Sequence, residues 1–132
     1  MVGEVTGFVL RPVGLPTIYI SGDNASVAVV EQIAARVGRI DIAVLFVGAA
    51  NVGRFGDTDL TVNARTAVLA AGVLGDAVIV PVHAEDWAHF SESLKRLVRE
   101  FGYEGLAERL AVPPKGERVE LVFRAHVATT PR

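Results

Sequence analysis

Two residues whose side chains bind metals or transfer protons, Asp23 and His83, each follow a short apolar run of the chain. Carboxylate oxygen and imidazole nitrogen atoms are both good ligands for zinc and similar divalent metals. Each residue also has an ordinary explanation, because an acid after a strand commonly caps a helix and a single histidine is commonly a hydrogen-bonded structural residue. Zinc requires three or four protein ligands, so the pair predicts part of a metal site rather than a complete one.

Three further residues are candidate substrate contacts because they are close in sequence to this pair. Asn24 directly follows Asp23, and Trp87 and His89 lie shortly after His83. Trp87 is suited to forming the wall of a pocket, although an aromatic residue is more often part of the core. His89 is suited to donating a hydrogen bond to a substrate oxygen, and Asn24 is also a candidate helix cap.

Other catalytic patterns are absent from the sequence. There is no His-x-His or His-x-x-x-His spacing and no glycine-rich nucleotide loop, and Ser21 lacks the glycine spacing of a nucleophile elbow. Four further carboxylates are more simply explained as loop polarity than as metal ligands: Asp57, Asp59, Glu85 and Asp86. The chemistry that the sequence predicts therefore depends on Asp23 and His83.

Two predicted strands must position Asp23 and His83. Residues 17–21 and 77–82 are both rich in β-branched residues, which favour a pleated, buried surface. Gly22 allows the chain to leave the first strand at dihedral angles that other residues resist. Ligands of open α/β sheets bind outside the carboxyl ends of the strands, so we expect both side chains at the same edge of one sheet.

The remaining periodicity predicts the order β-β-α-β-α-β-α-β and an α/β fold, a mixed sheet with helices packed on it. The predicted strands are residues 5–10, 17–21, 40–47, 77–82 and 118–123, the first two forming an antiparallel hairpin. The predicted helices are residues 24–37 (capped by Asp23 or Asn24), 61–74 (capped by Thr61 or Asn63), 86–101 and, briefly, 105–110. Glu92 and Arg96 are expected to form an exposed pair. We expect one domain over residues 1–132, with a loose tail at 124–132.

The composition favours self-association of a protein without nucleic-acid or membrane partners. Hydrophobic residues make up 51% of the chain and the mean hydropathy is +0.40, which is apolar for a small monomer, so we expect a homo-oligomer. The formal net charge is −2, with no basic stripe for nucleic acid and no polybasic or membrane-spanning segment. No cysteine is present, and no secretory signal is visible, so we expect a cytoplasmic protein.

Several stretches, in their order and spacing, resemble the carboxyl-terminal half of a metallo-β-lactamase-fold hydrolase, in the branch of L-ascorbate-6-phosphate lactonase-like enzymes. The matching stretches are Val-Thr-Gly-Phe-Val-Leu (5–10), Thr-Ile-Tyr-Ile-Ser-Gly-Asp-Asn (17–24), Ile-Ala-Val-Leu-Phe-Val-Gly-Ala-Ala (42–50), Val-Pro-Val-His (80–83) and Trp-Ala-His-Phe (87–90). The resemblance implies one half of an αββα sandwich. It also implies that Asp23 bridges two divalent metal ions, zinc or manganese, and that His83 binds one of them. The implied reaction is attack by a metal-activated water on an ester, lactone or phosphoester.

The resemblance also implies that most metal ligands belong to an amino-terminal half. The family's His-x-His-x-Asp-His motif does not occur in these 132 residues. We therefore expect the chain alone to be inactive or weakly active and to retain no dinuclear centre. Three interpretations stay open: a truncated or split product, a half-domain that pairs with itself, and a hydrolase completed by an amino-terminal half-domain, which would act on a small-molecule substrate. We favour the self-associating half-domain.

Overall fold

The structure, a computed structural model, describes residues 4–51, 53, 57–86, 90 and 92–122 of the 132-residue chain. In this part of the chain four strands form one mixed sheet in the order β1-β2-β3-β4. The strands are Phe8–Leu10 (β1), Ile18–Ile20 (β2), Ile42–Phe46 (β3) and Val78–Val82 (β4). The helices are Val27–Val37 (α1), Ala64–Val73 (α2) and Leu94–Tyr103 (α3), followed by a 3-10 turn at Ala107–Arg109. The predicted α/β fold class is confirmed.

The sheet topology brings three strand ends together. β1 and β2 form the predicted antiparallel hairpin, and β2, β3 and β4 run parallel to one another. Parallel strands have their carboxyl ends at the same edge, so the residues that follow β2, β3 and β4 are neighbours in space. We call this edge the carboxyl edge.

One face of the sheet carries the main core. Tyr19, Leu45 and Ile79 are each 1% exposed or less and belong to a single apolar cluster with the helices. α2 contacts both α1 and α3, and it presents small, fully buried side chains to this cluster, including Ala67 and Ala70. Small side chains allow α2 to pack closely against the rest of this cluster. No helix in the described part of the chain is both long enough and apolar enough to cross a bilayer.

The opposite face of the sheet is apolar across all four strands and only partly covered. We call it the open sheet face, and its residues, read from the strand register, are Phe8, Leu10, Ile18, Ile20, Ile42, Val44, Phe46, Val78, Val80 and Val82. Ala111 and Leu121 pack against its β3–β4 side. On the β1 side, Phe8 is 59% exposed and Leu10 is 49% exposed. Exposed apolar area therefore lies mainly over the hairpin.

Two helices begin later than the sequence pattern predicts. α1 is capped by Ser26, whose hydroxyl accepts from the Val29 amide, because Asn24 forms a turn with the Ser26 backbone before the helix starts. α3 begins at Leu94 with Ser93 as its cap, rather than near residue 86. The cause is a tertiary contact: Phe90, which fits the helical period, pairs as an isolated bridge with Ala50 at the carboxyl edge.

The other predicted boundaries have mixed outcomes. Asn63 caps α2 in a reciprocal capping box, one of the two predicted caps. The predicted strand at 118–123 is wrong for its described residues, 118–122, which form no strand. The position beside β4 is instead taken by the segment at Leu110, which forms a parallel bridge with Ile79. The predicted loose tail, 124–132, lies outside the described residues.

Candidate functional site

The structure brings Asp23 and His83 together at the carboxyl edge, although they lie sixty residues apart in sequence. His83 directly follows β4, Asp23 follows β2, and the His83 Nδ1 atom lies 3.6 Å from the Asp23 Oδ1 atom. The side chains are 32% and 58% exposed, respectively, although the His83 Nδ1 atom itself is buried. The expectation that they emerge side by side from one edge is confirmed. Their role as metal ligands stays a prediction.

The turn that presents Asp23 is held by Ser21, a buried residue that sequence reasoning considered only as a nucleophile. The Ser21 hydroxyl accepts a hydrogen bond from the Phe46 amide at 3.0 Å and donates to the Gly22 carbonyl at 2.8 Å. Gly22 has φ +63°, and a Cβ atom there would lie 2.8 Å from the Thr6 carbonyl oxygen. Glycine is therefore required at this position, for its dihedral angle and for the close approach of the segment that precedes β1. The signal in the sequence is a serine before a glycine at a strand end.

The imidazole of His83 lies between two aromatic rings. Its centroid is 5.2 Å from that of Phe46 and 4.8 Å from that of Phe90, the second in an edge-to-face arrangement. His83 also has φ +59°, in the left-handed region. The other non-glycine residues with positive φ in the described chain, Ala49 and Asp86, follow β3 and β4. Each such residue costs about 1–3 kcal/mol, and strain of this kind tends to occur at functional sites.

The segment that leads into α3 is attached to the carboxyl edge by Glu92. The Glu92 amide donates to the Gly48 carbonyl at 3.2 Å, and one carboxylate oxygen accepts from the Ala64 amide at 2.6 Å. The predicted ion pair with Arg96 is present at 3.2 Å, but Glu92 is only 14% exposed, so the pair is not fully exposed as expected. Glu92 thus supplies a carboxylate to the amino terminus of α2, where negative charge is favourable.

Charges beside the site are predominantly negative. Lys115 contacts Asp86 at 2.5 Å and Glu85 at 3.3 Å. These contacts, first with Asp86 and then with Glu85, raise the pKa of the Lys115 ammonium group above its ordinary value. The two carboxylates, which the sequence assigned to loop polarity, are therefore engaged with a lysine at the surface.

The pair fits two positions of a metal site and not a whole site. Two ligands on one tetrahedral zinc, with bonds of about 2.0–2.2 Å, lie roughly 3.4 Å apart, and the Asp23–His83 separation is similar. The described residues include no group of three or more histidine, cysteine or acidic side chains placed to hold a metal. Asp23 and His83 therefore suit a site that takes its remaining ligands from residues beyond those described.

Of the three predicted substrate contacts, Asn24 is the one that lies among the described residues. Both polar atoms of the Asn24 side chain bond to the Ser26 backbone, at 3.0 and 3.1 Å, which gives Asn24 a structural role next to Asp23. Trp87 and His89 lie outside the described residues. A role in substrate binding stays a prediction for all three.

No family model matches the chain. Curated relatives match in sequence over 81 residues, 61% of this chain. One is a UPF0173 metal-dependent hydrolase of Anaeromyxobacter dehalogenans strain 2CP-C, at 32% identity. Another is a protein of the same name from Anaeromyxobacter sp. strain K, at 31% identity. The chain spans about a quarter, 26%, of the length of these relatives.

Two solved structures share the fold. One is a possible metal-dependent hydrolase from Veillonella parvula DSM 2008, with a TM-score of 0.80 and 22% identity over 90% of this chain and 45% of that chain. The other is an isothiocyanate hydrolase from Delia radicum gut bacteria, with a TM-score of 0.77 and 23% identity over 87% of this chain and 43% of that chain. The chain thus has the fold of slightly under half of these hydrolases, and in sequence it is similar to part of the metal-dependent hydrolases.

Proposed function

We propose that the chain contributes Asp23 and His83 to the divalent-metal centre of a hydrolase. The observation that carries the proposal is the 3.6 Å separation of their ligand atoms at the carboxyl edge. The sequence similarity to metal-dependent hydrolases supports the same reaction class. The narrower assignment, to lactonase-like enzymes that act on an ester, lactone or phosphoester, is part of the proposal.

The residues of the chain have distinct tasks in this proposal. A bound divalent metal supplies Lewis-acid activation of water. The Asp23 carboxylate, 58% exposed, offers an anionic oxygen at the rim of the sheet. Phe46 and Phe90 restrict the rotation of the His83 ring, which orients its nitrogen atoms. Ser21 couples the end of β3 to the turn that carries Asp23, so the two ligands are positioned by one hydrogen-bonded unit.

Zinc titration of the purified chain, followed by NMR of the histidine side chains, tests the metal role. We expect the His83 ring signals to shift on addition of Zn²⁺, with weak affinity because two ligands are fewer than the three or four of a zinc site. Asp23→Asn is expected to abolish the shift, and His83→Gln identifies which ring signals belong to His83. Asp57→Asn, which removes an exposed acid elsewhere in the chain, is the matched control and should leave it unchanged.

The proposal fails if His83 does not respond to excess Zn²⁺, or if its response persists in Asp23→Asn. Hydrolysis of ester, lactone and phosphoester substrates by this chain alone should stay near background. It should rise when a polypeptide that carries the missing ligands is added. A high activity of the chain alone would contradict the division of ligands proposed above.

A second candidate function, self-association, is favoured by the open sheet face. Phe8 and Leu10 are 59% and 49% exposed on a sheet face whose strand residues are all apolar. Burial of apolar area is worth about 25 cal/mol per Å², so a second copy that covers this face would stabilise a dimer. Sedimentation should show a dimer that Leu10→Lys dissociates and that Leu69→Lys, on the 55% exposed Leu69 of α2, does not. A monomer at all concentrations would refute this function.

A further inference from the structure

A groove of about 500 Å³ lies beside the end of β4, and His83 is one of its lining residues. We call it the β4 groove. Its apolar wall includes Val82, Leu94 and Val112, and two prolines, 113 and 114, continue it. The volume is within the range of pockets that bind small molecules, and such pockets are lined mostly by apolar residues with a few polar groups.

The walls of the β4 groove are joined to each other by the fold. The Ala111 amide donates to the Ile79 carbonyl at 2.9 Å, which brings the second wall alongside β4. Lys115, in the segment 112–117, contacts Glu85 and Asp86, which follow β4. The hydrogen bond and the ion pairs hold the two sides of the groove together, and a groove held in place lowers the entropy cost of binding.

The polar rim of the β4 groove is negative. Among the described residues that line the groove, three are acidic (Glu85, Asp86 and Glu117) and one is a lysine (Lys115), so carboxylates outnumber ammonium groups by two. Because Lys115 is already engaged with Glu85 and Asp86, it offers little attraction to a ligand anion. A ligand that carries a negative charge into this rim would be repelled and would lose hydration without a compensating partner.

We propose that the β4 groove binds the non-reacting part of the substrate, and that this part is an apolar group without negative charge. His83 is shared by the groove and by the candidate metal pair, so a molecule in the groove lies beside the same residue whose Nδ1 atom is 3.6 Å from Asp23. The link to hydrolysis rests on the proposed function, whereas binding in the groove does not. Among the implied substrates, a neutral ester or lactone with an alkyl group fits, and a substrate that carries its phosphate in this groove does not.

The test uses three probes that carry the same hexyl chain and differ only in the head group: hexanol, hexylammonium and heptanoate. Each is titrated into the full chain in the presence of EDTA, and binding is followed by backbone amide NMR. We expect hexanol and hexylammonium to shift the amides of Leu94 and Val112. Heptanoate should bind roughly five- to tenfold more weakly, because it meets an excess of like charge at the rim.

Two variants and one control make the assignment specific. Val112→Asp should weaken hexanol binding about tenfold, because it places a carboxylate in the apolar wall. Val98→Asp changes an equally exposed valine of α3 (47%, against 41% for Val112) that does not line the groove, and it should have no effect. Glu117→Lys should raise the affinity for heptanoate relative to hexanol.

The outcomes separate this inference from the proposed function. The inference is overturned if none of the probes shifts the groove amides, if heptanoate binds as tightly as hexanol, or if Val98→Asp weakens binding as much as Val112→Asp. EDTA removes free metal, so binding in the groove is measured without zinc. If the probes bind but His83 does not respond in the zinc titration, the groove inference stands and the metal role is refuted. If His83 responds to zinc but the probes do not bind, the metal role stands and the groove inference is refuted.

Discussion

Replacement of Gly48 by alanine tests whether the close contact between the ends of β3 and β4 holds His83 in place. Gly48 follows β3 and has φ +104°. A Cβ atom there would lie 2.9 Å from the Ala84 Cα atom and 3.0 Å from the His83 carbonyl oxygen. Both are backbone atoms, so the contact cannot be relieved by rotation of a side chain. The chain after β4 must move away.

The expected cost has two parts. The positive φ costs about 1–3 kcal/mol for a residue with a side chain. Insertion of a methyl group into a close-packed contact costs about 1–3 kcal/mol more, because the backbone shifts. We expect Gly48→Ala to lower the free energy of unfolding by about 4 kcal/mol. Since each kcal/mol shifts the melting temperature of a chain this size by about 3–5 °C, the melting temperature should fall by roughly 10–20 °C.

Gly75→Ala is the matched control. Gly75 also has a positive φ, +67°, but a Cβ atom there would have no neighbour within 4 Å. It should therefore cost only the dihedral strain, about 1–2 kcal/mol. Urea denaturation of both variants measures the difference, and NMR shows whether the His83 signals move in Gly48→Ala alone. If the two variants lose equal stability and leave the His83 signals unchanged, the contact does not position His83.

Three other substitutions test the core and the caps. Tyr19→Phe should stabilise the protein by about 1 kcal/mol, because the buried Tyr19 hydroxyl has no hydrogen-bond partner among the described residues. Burial also raises the pKa of Tyr19 above 10.0, so urea denaturation should show stability falling as the pH rises beyond 10.0, and less steeply in Tyr19→Phe. Glu92→Ala leaves the Ala64 amide without its acceptor and should lower the denaturation midpoint by the equivalent of about 1–2 kcal/mol. An unchanged midpoint would contradict the stabilisation of the α2 amino terminus by Glu92. Phe101→Ala, at a fully buried site, should cost about 3–5 kcal/mol by calorimetry, and a loss below 1 kcal/mol would contradict its place in the core.

The features that were predictable from sequence are those with a local cause. Runs of β-branched residues predicted β2, β3 and β4, because such residues favour a buried pleated surface wherever the chain places them. The helical period of residues 61–74 and the Asn63 cap predicted α2, because both act between residues that are close along the chain. The start of α3 was predicted wrongly, since Phe90 continues the helical period in sequence but pairs with Ala50 in the structure. Periodicity does not report which of two competing partners a residue takes.

The sequence by itself determined which residue types end the strands: a glycine and an acid after β2, and a histidine after β4. Only the tertiary structure decided that Asp23 and His83 lie 3.6 Å apart, because β3 separates their strands and no local pattern encodes that spacing. The same holds for Ser21, whose partner, the Phe46 amide, is 25 residues away, and for the β4 groove, whose two walls come from separate segments. Secondary structure follows from near neighbours along the chain, whereas these contacts follow from how the parallel strands and their connections pack.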